Sequence, residues 1–464
     1  MNPPTKPPTR TERDSMGEME VPTDALYGAS TQRALRNFPI SGTPLPLPLI
    51  HAYGLIKKAA ALTNAELGLL DPVLAEKIAA AAEEISVGAH DTQFPVDIYQ
   101  TGSGTSTNMN VNEVIATRAA QLGAAVHPND HVNLGQSSND TFPTAIHVAA
   151  ALAVRDGLAP ALENLAASLE TKAREFHDVF KIGRTHLMDA TPLRLGQEIG
   201  GWARQTRLAA ARAEKAVAAL LELPLGGTAV GTGLNAHPEF AAKAIARIAA
   251  ATGIPFCEAE NHFEAQAAKD ACVEAHGQLA TIAVSLHKIA SDVRLLASGP
   301  RCGIGEIRLP ATQPGSSIMP GKVNPVMPES VTMVAARVAG NQTSIAWCGV
   351  GGFLQLNVSM PLLASCLLES IHLLSNVATA FRERCIDGIQ SDEGRCSELI
   401  ELSLSMVTAL APRIGYDLAA AIAKESVSSG RTVREICTRR RAELGLTAEE
   451  LSALLDVARM SGDA

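Results

Sequence analysis

The sequence predicts a mainly α-helical protein built around a bundle of very long helices; composition, heptad spacing and the lack of a strand pattern indicate this fold class. Of the 464 residues, 46% are hydrophobic but only 3% are aromatic. Alanine and leucine dominate the apolar side chains, a composition that favours helices over a sheet rich in valine and aromatic residues. The sequence shows no alternation of strands with helices and no short repeat. At this length, two or three domains are expected.

The clearest helix is predicted between residues 264 and 298, where apolar side chains are spaced alternately three and four apart. This spacing forms a coiled-coil-like seam. The seam consists of Leu279, Ile282, Leu286, Ile289, Val293 and Leu296. Gly299 and Pro300 are expected to end the helix, which would span roughly 50 Å.

Further long helices are predicted from alanine- and leucine-rich sequence. Residues 139–177 and 192–221 are helical stretches, and Gly157 and Pro160 are expected to kink the first of them. A second seam has sevenfold spacing and passes through Met360, Leu367, Leu374 and Phe381. Several helices of this length imply a bundle.

Three domains are expected along the chain. They are an N-terminal helical domain (residues 1–139), a central long-helix bundle (residues 140–388) and a small C-terminal helical domain (residues 389–464). The first residues, about 13 in number, are rich in proline, threonine and charge, which indicates a disordered tail rather than a signal peptide. Residues 447–450 have the spacing of a capping box and predict a helix start.

Charge and cysteine usage exclude several classes of protein. The net charge of −9 argues against a generic nucleic-acid or anionic-membrane surface, which needs a basic excess. The eight cysteines are scattered, without a pair or histidine at metal-ligand spacing, so they are interpreted as reduced thiols. No apolar run reaches the roughly 18 residues of a membrane span. A soluble cytoplasmic protein is therefore expected.

Four segments of small polar residues interrupt the helices, and the first two carry mainly hydroxyl and amide groups. Residues 101–110 combine glycines with serine and threonine before a helix expected near Asn110, whose N-terminus would attract an anion. The second segment consists of residues 127–130 followed by residues 136–140, and it precedes an apparent helix start at residues 141–143. Its two serines and Asn139 offer uncharged donors to a carboxylate. Each segment also fits a plain helix-capping cluster, so both interpretations stay open.

The third and fourth segments add ionisable groups. Residues 183–190 contain His186, which can transfer a proton near neutral pH, although a lone histidine is more often structural. Residues 315–325 offer two hydroxyls, one ammonium and one amide in an irregular loop. A solvent-exposed linker is the alternative, but Glu329 in the first turn of the next helix argues against it.

The spacing of these segments implies an oligomer. Helical sequence from residue 141 to residue 177, up to roughly 55 Å long, separates the second segment from the third. We therefore expect the two segments at opposite ends of one subunit. If both serve one site, that site is assembled from different chains.

Together, the four segments resemble class II fumarases of the fumarase/aspartase superfamily, and the likeness extends from about residue 14 into the C-terminal domain. Residues 315–325, Gly-Ser-Ser-Ile-Met-Pro-Gly-Lys-Val-Asn-Pro, are similar to the superfamily signature. The resemblance implies a three-domain fumarase/aspartase-like fold, a homotetramer with a core of about 20 helices, and active sites shared among three subunits. It also implies reversible anti addition of water to fumarate, giving L-malate, in the tricarboxylic acid cycle, with no metal and no cofactor.

Smaller features favour fumarase over aspartase within the superfamily. Arg184-Thr185-His186 resembles fumarase, whereas an aspartase typically has glutamine at the histidine position. Gly321 before Lys322 also resembles fumarase, since alanine is typical of aspartase there. Residues 127–130 and 225–235 are similar to fumarase as well.

The resemblance assigns site residues. The implied catalytic residues are Ser316, His186 and Glu329. The implied substrate-binding residues are Ser103, Gly104, Thr105, Ser137, Ser138, Asn139, Thr185, Ser317, Lys322, Val323 and Asn324. A second, peripheral dicarboxylate site is implied at His127, Pro128, Asn129 and Asp130, but residues 123–126 lack the arginine that the family can use there.

The reaction explains why these residue types are needed. Removal of the C3 proton of malate gives a carbanion whose charge spreads into a carboxylate, so fixed donors such as Lys322 and Asn324 are required. By resemblance, Ser316 is the base, and its alkoxide needs Lys322 and backbone N–H groups. His186, oriented by Glu329, would protonate the departing hydroxyl from the opposite face.

Two alternatives remain. One is another lyase of the superfamily, above all an aspartate ammonia-lyase. The other is a scaffold protein that keeps the fold without activity, which the complete polar set argues against.

Overall fold

The computed structural model describes residues 8–462 and confirms a mainly α-helical fold. The helices are α1 (Ala29–Asn37), α2 (Leu47–Glu66), α3 (Pro72–Ser86), α4 (Thr105–Gln121), α5 (Ser138–Ala153), α6 (Ala159–Glu175), α7 (Leu195–Ala218), α8 (Phe240–Thr252), α9 (His262–Ala267), α10 (Asp270–Leu296), α11 (Val326–Val350), α12 (Met360–Arg384), α13 (Glu393–Leu402), α14 (Ala411–Ile414), α15 (Tyr416–Ser429), α16 (Val433–Arg439), α17 (Ala448–Leu454) and α18 (Val457–Met460).

Short strands pair in twos. They are β1 (Thr9–Asp14), β2 (Gly17–Pro22), β3 (Phe180–Thr185), β4 (Met188–Arg194), β5 (Glu222–Leu223), β6 (Cys257–Glu258), β7 (Ile307–Arg308), β8 (Gly352–Phe353), β9 (Leu356–Asn357) and β10 (Gln390–Ser391). The pairs are β1 with β2, β3 with β4, β8 with β9 and β7 with β10, all antiparallel, and β5 with β6, which is parallel.

The chain forms two compact units that are interleaved in sequence. The first contains residues up to Pro160, Ala211–Ala283 and Ala335–Ser375. The second contains Ala161–Ala210, Val284–Val334 and the residues from Asn376 onward. The expected boundary after residue 139 falls just inside α5, which starts at Ser138, and the boundary at residue 388 falls at the end of the 3₁₀ turn Ile386–Gly388. The division into three domains stays a prediction.

The first unit is organised around α2, which is apolar on most of its circumference. Leu49, Tyr53 and Ile56 are fully buried, as expected for a core helix rather than an amphipathic surface helix. The Tyr53 ring meets the Phe142 ring of α5 edge to face, with 6.1 Å between centroids. These contacts hold α5 beside α2 and so fix the position of the α5 N-terminus.

The second unit packs the β3–β4 hairpin against the C-terminal helices. Ile182 of β3 is buried in one apolar cluster with residues of α13, α15 and α16, including Ile400, Ile422 and Ile436. A capping box at Thr447 and Glu450 starts α17, as the sequence predicts. The base of the hairpin is therefore anchored in a core.

The prediction of one helix from residue 264 to residue 298 is wrong. Helix α9 ends at Ala267, Ala268 is extended, and α10 starts at Asp270. The buried Lys269 ammonium donates hydrogen bonds to the carbonyls of Ala265, Gln266 and Ala268 at 2.6, 3.1 and 2.6 Å. These bonds satisfy carbonyls at the end of α9 and stabilise the break without glycine or proline.

The helical stretches predicted at residues 139–177 and 192–221 are confirmed, but their starts differ from the prediction. Helices α5 and α6 are joined through a π-helical turn, Val154–Leu158, which contains Gly157, so the irregularity predicted there is real. Helix α7 begins at Leu195 rather than Pro192, because Pro192 pairs with Ile182 in the hairpin.

The predicted disorder of the first residues is wrong where the structure describes them. Residues 9–14 form strand β1 against β2, and residues 1–7 lie outside the described part of the chain. Arg33 binds both oxygens of Asp14 at 2.8 Å, and Val21 of β2 is fully buried. These contacts with α1 stabilise a ribbon that composition alone does not predict.

In the part of the chain that the structure describes, two helical stretches, Ser138–Glu175 and Met360–Gly388, are long and apolar enough to cross a membrane. Their most apolar windows are 61% and 56% buried inside the fold, respectively. Helices of this kind are typical of the core of a soluble protein.

Candidate active site

Hydroxyl groups from two of the predicted segments meet in the first unit. The Thr105 hydroxyl lies 2.8 Å from that of Ser103 and 2.7 Å from that of Ser138. Thr105 is the first residue of α4 and Ser138 the first of α5, so two helix N-termini adjoin the cluster. Helix N-termini carry partial positive charge and free N–H groups, which suits a carboxylate.

Gly104 is the residue that allows this close approach. It precedes α4 with φ of 75°, and a Cβ built on it would lie 1.9 Å from the Phe142 ring. Only glycine fits here without displacing an aromatic ring of the core. Helix α4 starts directly after it, at Thr105, so the start expected near Asn110 is wrong by five residues.

Ser137 and Asn139 have local roles that the sequence leaves open. The Ser137 hydroxyl accepts the Asn139 N–H at 3.2 Å, and Ser137 forms a capping box with Asp140. The Asn139 amide donates to the Ala229 carbonyl at 2.7 Å. For Ser137, the capping interpretation is therefore confirmed, while its predicted contact with a ligand stays a prediction.

The predicted peripheral site lies at a π-helical turn, Pro128–Val132, whose last residue, Val132, is buried. The His127 ring nitrogen Nδ1 accepts the N–H groups of Asn129 and Asp130 at 3.3 and 3.1 Å. The side chains of His127, Asn129 and Asp130 are exposed. Binding of a dicarboxylate at this turn stays a prediction.

The second unit places His186 at the tip of the β3–β4 hairpin. His186 and Leu187 have φ of 57° and 63°, an unusual pair of left-handed residues without glycine. Thr185 and His186 are exposed, and no hydrogen bond of the His186 ring is formed within residues 8–462. His186 is therefore an exposed residue in a left-handed turn at the tip of an anchored hairpin, and its catalytic role stays a prediction.

A buried ionic cluster holds the hairpin just below its tip. Glu306 is completely buried and accepts two hydrogen bonds from Arg184, at 3.0 and 2.9 Å. Lys181, also buried, lies 3.2 Å from Glu306 and 3.0 Å from Glu198. Because Arg184 is two residues from His186, Glu306 fixes the strand that carries this histidine.

We expect Glu306→Gln to lower the free energy of unfolding by about 3 kcal/mol or more, because it leaves the buried Lys181 and Arg184 charges undercompensated. Urea denaturation measures the change. Glu398→Gln, which breaks an exposed pair with Arg395, is the control and should cost under about 1 kcal/mol. Equal losses in both variants would contradict the role given to Glu306.

The fourth segment closes into a compact loop in the second unit. The Asn324 amide donates to the Gly315 carbonyl at 2.7 Å, and the Gly315 N–H donates to the Lys322 carbonyl at 2.9 Å. A Cβ on Gly315 would lie 2.4 Å from that carbonyl oxygen, so the closure needs glycine. The loop lines an open cleft of about 410 Å³.

Ser316 has a distinctive environment in this loop. Its Oγ accepts the N–H groups of Ile318 and Met319 at 3.2 and 3.1 Å. Two backbone donors aimed at one oxygen stabilise negative charge on it. Ser317, Lys322 and Val323 are exposed at the same loop.

Glu329 lies in the first turn of α11, as predicted, and is half-buried. Within residues 8–462, no hydrogen bond or ion pair joins it to His186. The proposed pairing of these two residues therefore stays a prediction.

Several polar residues lie beneath the hydroxyl cluster. Asn108, Gln136 and Asp140 belong to the predicted polar segments, although no individual role was predicted for them, whereas Lys57 and Asn133 lie outside those segments and were not predicted. Burial lowers the pKa of Lys57 to about 7. The signal was a lysine within the apolar face of α2, but sequence does not separate a buried lysine from one that extends to solvent.

The eight cysteines are free thiols, and six of them are buried. Within residues 8–462, no three histidine, cysteine or acidic side chains are grouped to hold a metal ion.

Comparison with known proteins gives consistent matches over nearly the whole chain. Residues 17–340 match the family model described as Lyase, and residues 406–462 match that of the fumarase C C-terminus. The chain is 53% identical to fumarate hydratase class II of Mycobacterium tuberculosis over 455 residues, covering 97% of this chain and 96% of that protein. It is 51% identical to the Methylorubrum extorquens enzyme of the same name, covering 95% and 94%.

Solved structures also match over nearly the whole length of the chain. Class II fumarase from Schistosoma mansoni superimposes with a TM-score of 0.93 at 39% identity, covering 98% of this chain and 99% of that chain. Fumarate lyase:delta crystallin from Brucella melitensis gives a TM-score of 0.93 at 46% identity, covering 98% and 100%.

Proposed function

The chain belongs to the class II fumarate hydratase family, and from this premise we propose how its residues catalyse the reversible hydration of fumarate to L-malate. The observation that carries the proposal is the Ser316 oxygen facing two backbone N–H donors. In the elimination direction, Ser316 as alkoxide removes the C3 proton of malate. The ammonium of Lys322 and the two N–H groups stabilise that alkoxide.

The carbanion that results is the species to be stabilised. Its charge spreads into the adjacent carboxylate, so donors fixed in advance lower the barrier most. Asn324 and Lys322 serve this carboxylate, and the hydroxyls of Thr105, Ser138 and Thr185 hold the substrate with uncharged donors. The hydrogen-bonded cluster of Ser103, Thr105 and Ser138 supports this assignment, because its hydroxyls are already oriented.

His186 acts on the opposite face in this proposal. It protonates the departing hydroxyl, directly or through water, and Glu329 orients its ring. A base and an acid on opposite faces give anti stereochemistry. The exposed hairpin tip supports this role, since the ring is free to meet a substrate held by another chain.

We propose that the sites are completed in a homotetramer, with three subunits contributing to each. On α11 and the following hairpin, large apolar side chains are exposed in the single chain: Trp347 by 72%, Val350 by 69%, Phe353 by 75% and Leu354 by 87%. Exposed apolar surface of this kind marks a protein–protein interface. The free thiols support a reducing compartment, the cytoplasm.

The purified protein should convert fumarate to malate at the same rate with and without ammonium. Chromatography of the products separates malate from aspartate. Aspartate formed only with ammonium would identify an aspartate ammonia-lyase, and no product in either mixture would identify a non-catalytic scaffold.

A further inference from the structure

A fully buried lysine lies directly beneath the predicted substrate-binding residues of the first unit. Lys57, in the middle of α2, has no solvent exposure. Its ammonium donates to the side-chain oxygens of Asn133 and Gln136, both at 3.0 Å. No carboxylate lies within ion-pair distance of Lys57 in residues 8–462. Burying a cation with only neutral partners is costly, so packing of the core alone does not account for a lysine at this position.

The two amides are the connection to the site. Gln136 directly precedes Ser137 and Ser138, and its own amide donates to the carbonyls of Val132 and Leu134 at 3.1 and 3.2 Å. Both the oxygen and the nitrogen of the Gln136 side-chain amide are therefore held by hydrogen bonds. With Gln136 held, the backbone enters α5 in one direction, which sets where the Ser138 hydroxyl points.

The same lysine also reaches the first hydroxyl segment. The Asn133 side-chain oxygen accepts from Lys57, from Asn108 at 3.1 Å and from Asn112 at 3.2 Å. Asn108 lies in the first turn of α4, three residues after Thr105. One amide oxygen thus joins α2, α4 and the segment before α5, and the charge on Lys57 polarises this junction.

Asp140 fixes the chain on the C-terminal side of Ser138. Its carboxylate accepts the N–H groups of Ser137, Gly226 and Thr228 at 2.9, 3.0 and 3.0 Å. Burial raises the pKa of Asp140, while these three donors and the charge of Lys57 oppose the increase. Lys57 and Asp140 therefore fix the chain before and after the hydroxyl of Ser138.

We propose that Lys57 is a positioning residue, whose buried ammonium aligns the hydroxyls of Thr105 and Ser138 for the carboxylate of the substrate through Asn133 and Gln136. This inference rests on the proposed function and deepens it. It assigns to Lys57 no contact with the substrate.

The test is Lys57→Met, which keeps an unbranched side chain and removes the charge. We expect KM for fumarate to rise about tenfold or more, with a smaller change in kcat and a melting temperature no lower than that of the unaltered protein. Lys58→Met is the matched control. Lys58 is adjacent on α2 but pairs with Glu83 at the surface, so KM should not change.

A second readout does not depend on turnover. Succinate, an unreactive dicarboxylate, should raise the melting temperature of the unaltered protein and of Lys58→Met, but should act on Lys57→Met only at about tenfold higher concentration. If Lys57→Met does not fold, Gln136→Ala tests the same connection and should raise KM severalfold.

The outcomes separate this inference from the proposed function. Unchanged KM and succinate response in a folded Lys57→Met protein would overturn the inference, as would parallel losses of melting temperature and activity, which indicate a structural role. Unchanged KM in Gln136→Ala, where that variant is needed, would also overturn it. Absence of malate formation by the unaltered protein would instead contradict the proposed function.

Discussion

Ser316→Ala should lower kcat for malate dehydration by about a hundredfold or more, the scale of lost acid–base catalysis. The variant removes the oxygen that two backbone N–H groups face at 3.2 and 3.1 Å, which is the atom that we propose accepts the C3 proton. Steady-state kinetics at the fumarate absorbance band measures the change. We expect molar mass by light scattering to match that of the unaltered protein, because the side chain is part of a surface loop.

Ser316 also shapes its loop, so the control must separate chemistry from local folding. If the serine is the base, the Ser316→Ala protein should still bind succinate, and succinate should still raise the melting temperature of this variant. Loss of succinate binding together with kcat would indicate a collapsed loop. Ser428→Ala, an exposed serine of α15, should retain full activity. Unchanged turnover in a folded Ser316→Ala protein would remove the proposed base.

Mixing two inactive variants should restore activity if the sites are shared between chains. We expect His186→Asn alone to lose about a hundredfold in kcat, as Ser316→Ala does. When the two proteins are unfolded together and refolded, some sites receive His186 from one chain and Ser316 from another. With random assembly, about one quarter of the sites are intact, so activity should reach about a quarter of that of the unaltered protein.

Two controls make the mixing experiment decisive. Each variant refolded alone gives the residual activity. The double variant Ser316→Ala/His186→Asn, refolded with unaltered chains, gives the loss of activity that results from diluting active chains with inactive ones. Activity in the mixture no higher than in the separate variants would show that both residues act within one chain. That result would leave the catalytic roles standing and would contradict the shared site.

Much of the fold follows from periodicity. Helices α5, α6, α10 and α12 lie where spacing of apolar residues places them, because a buried helical face imposes its period on the sequence. The break at Ala268 and strand β1 were missed for a common reason. Each depends on a hydrogen bond from a charged side chain, local for the Lys269 ammonium and 19 residues away in sequence for the Arg33 guanidinium, and the spacing of apolar residues shows neither.

The residues of the candidate site also divide into those that the sequence predicts and those that it does not. The hydroxyls of Ser103, Thr105 and Ser138 were predicted as a group, and the structure brings them together because two helix starts attract polar residues. Lys57 and Glu306 were not predicted. Each acts through burial, and an ionisable residue inside an apolar stretch does not reveal whether its charge is inside or outside the fold.

The interleaving of the two compact units affects how the protein folds while it is being synthesised on the ribosome. The first unit needs residues up to Ser375, so its opening 160 residues wait while about 215 more are added, roughly 10–40 s at ordinary synthesis rates. Until α8 (Phe240–Thr252) has been made, the apolar surface of α2 lacks one of the helices that pack against it. Nascent chains in this state are substrates for chaperones, and a slower supply of chains favours correct folding over aggregation.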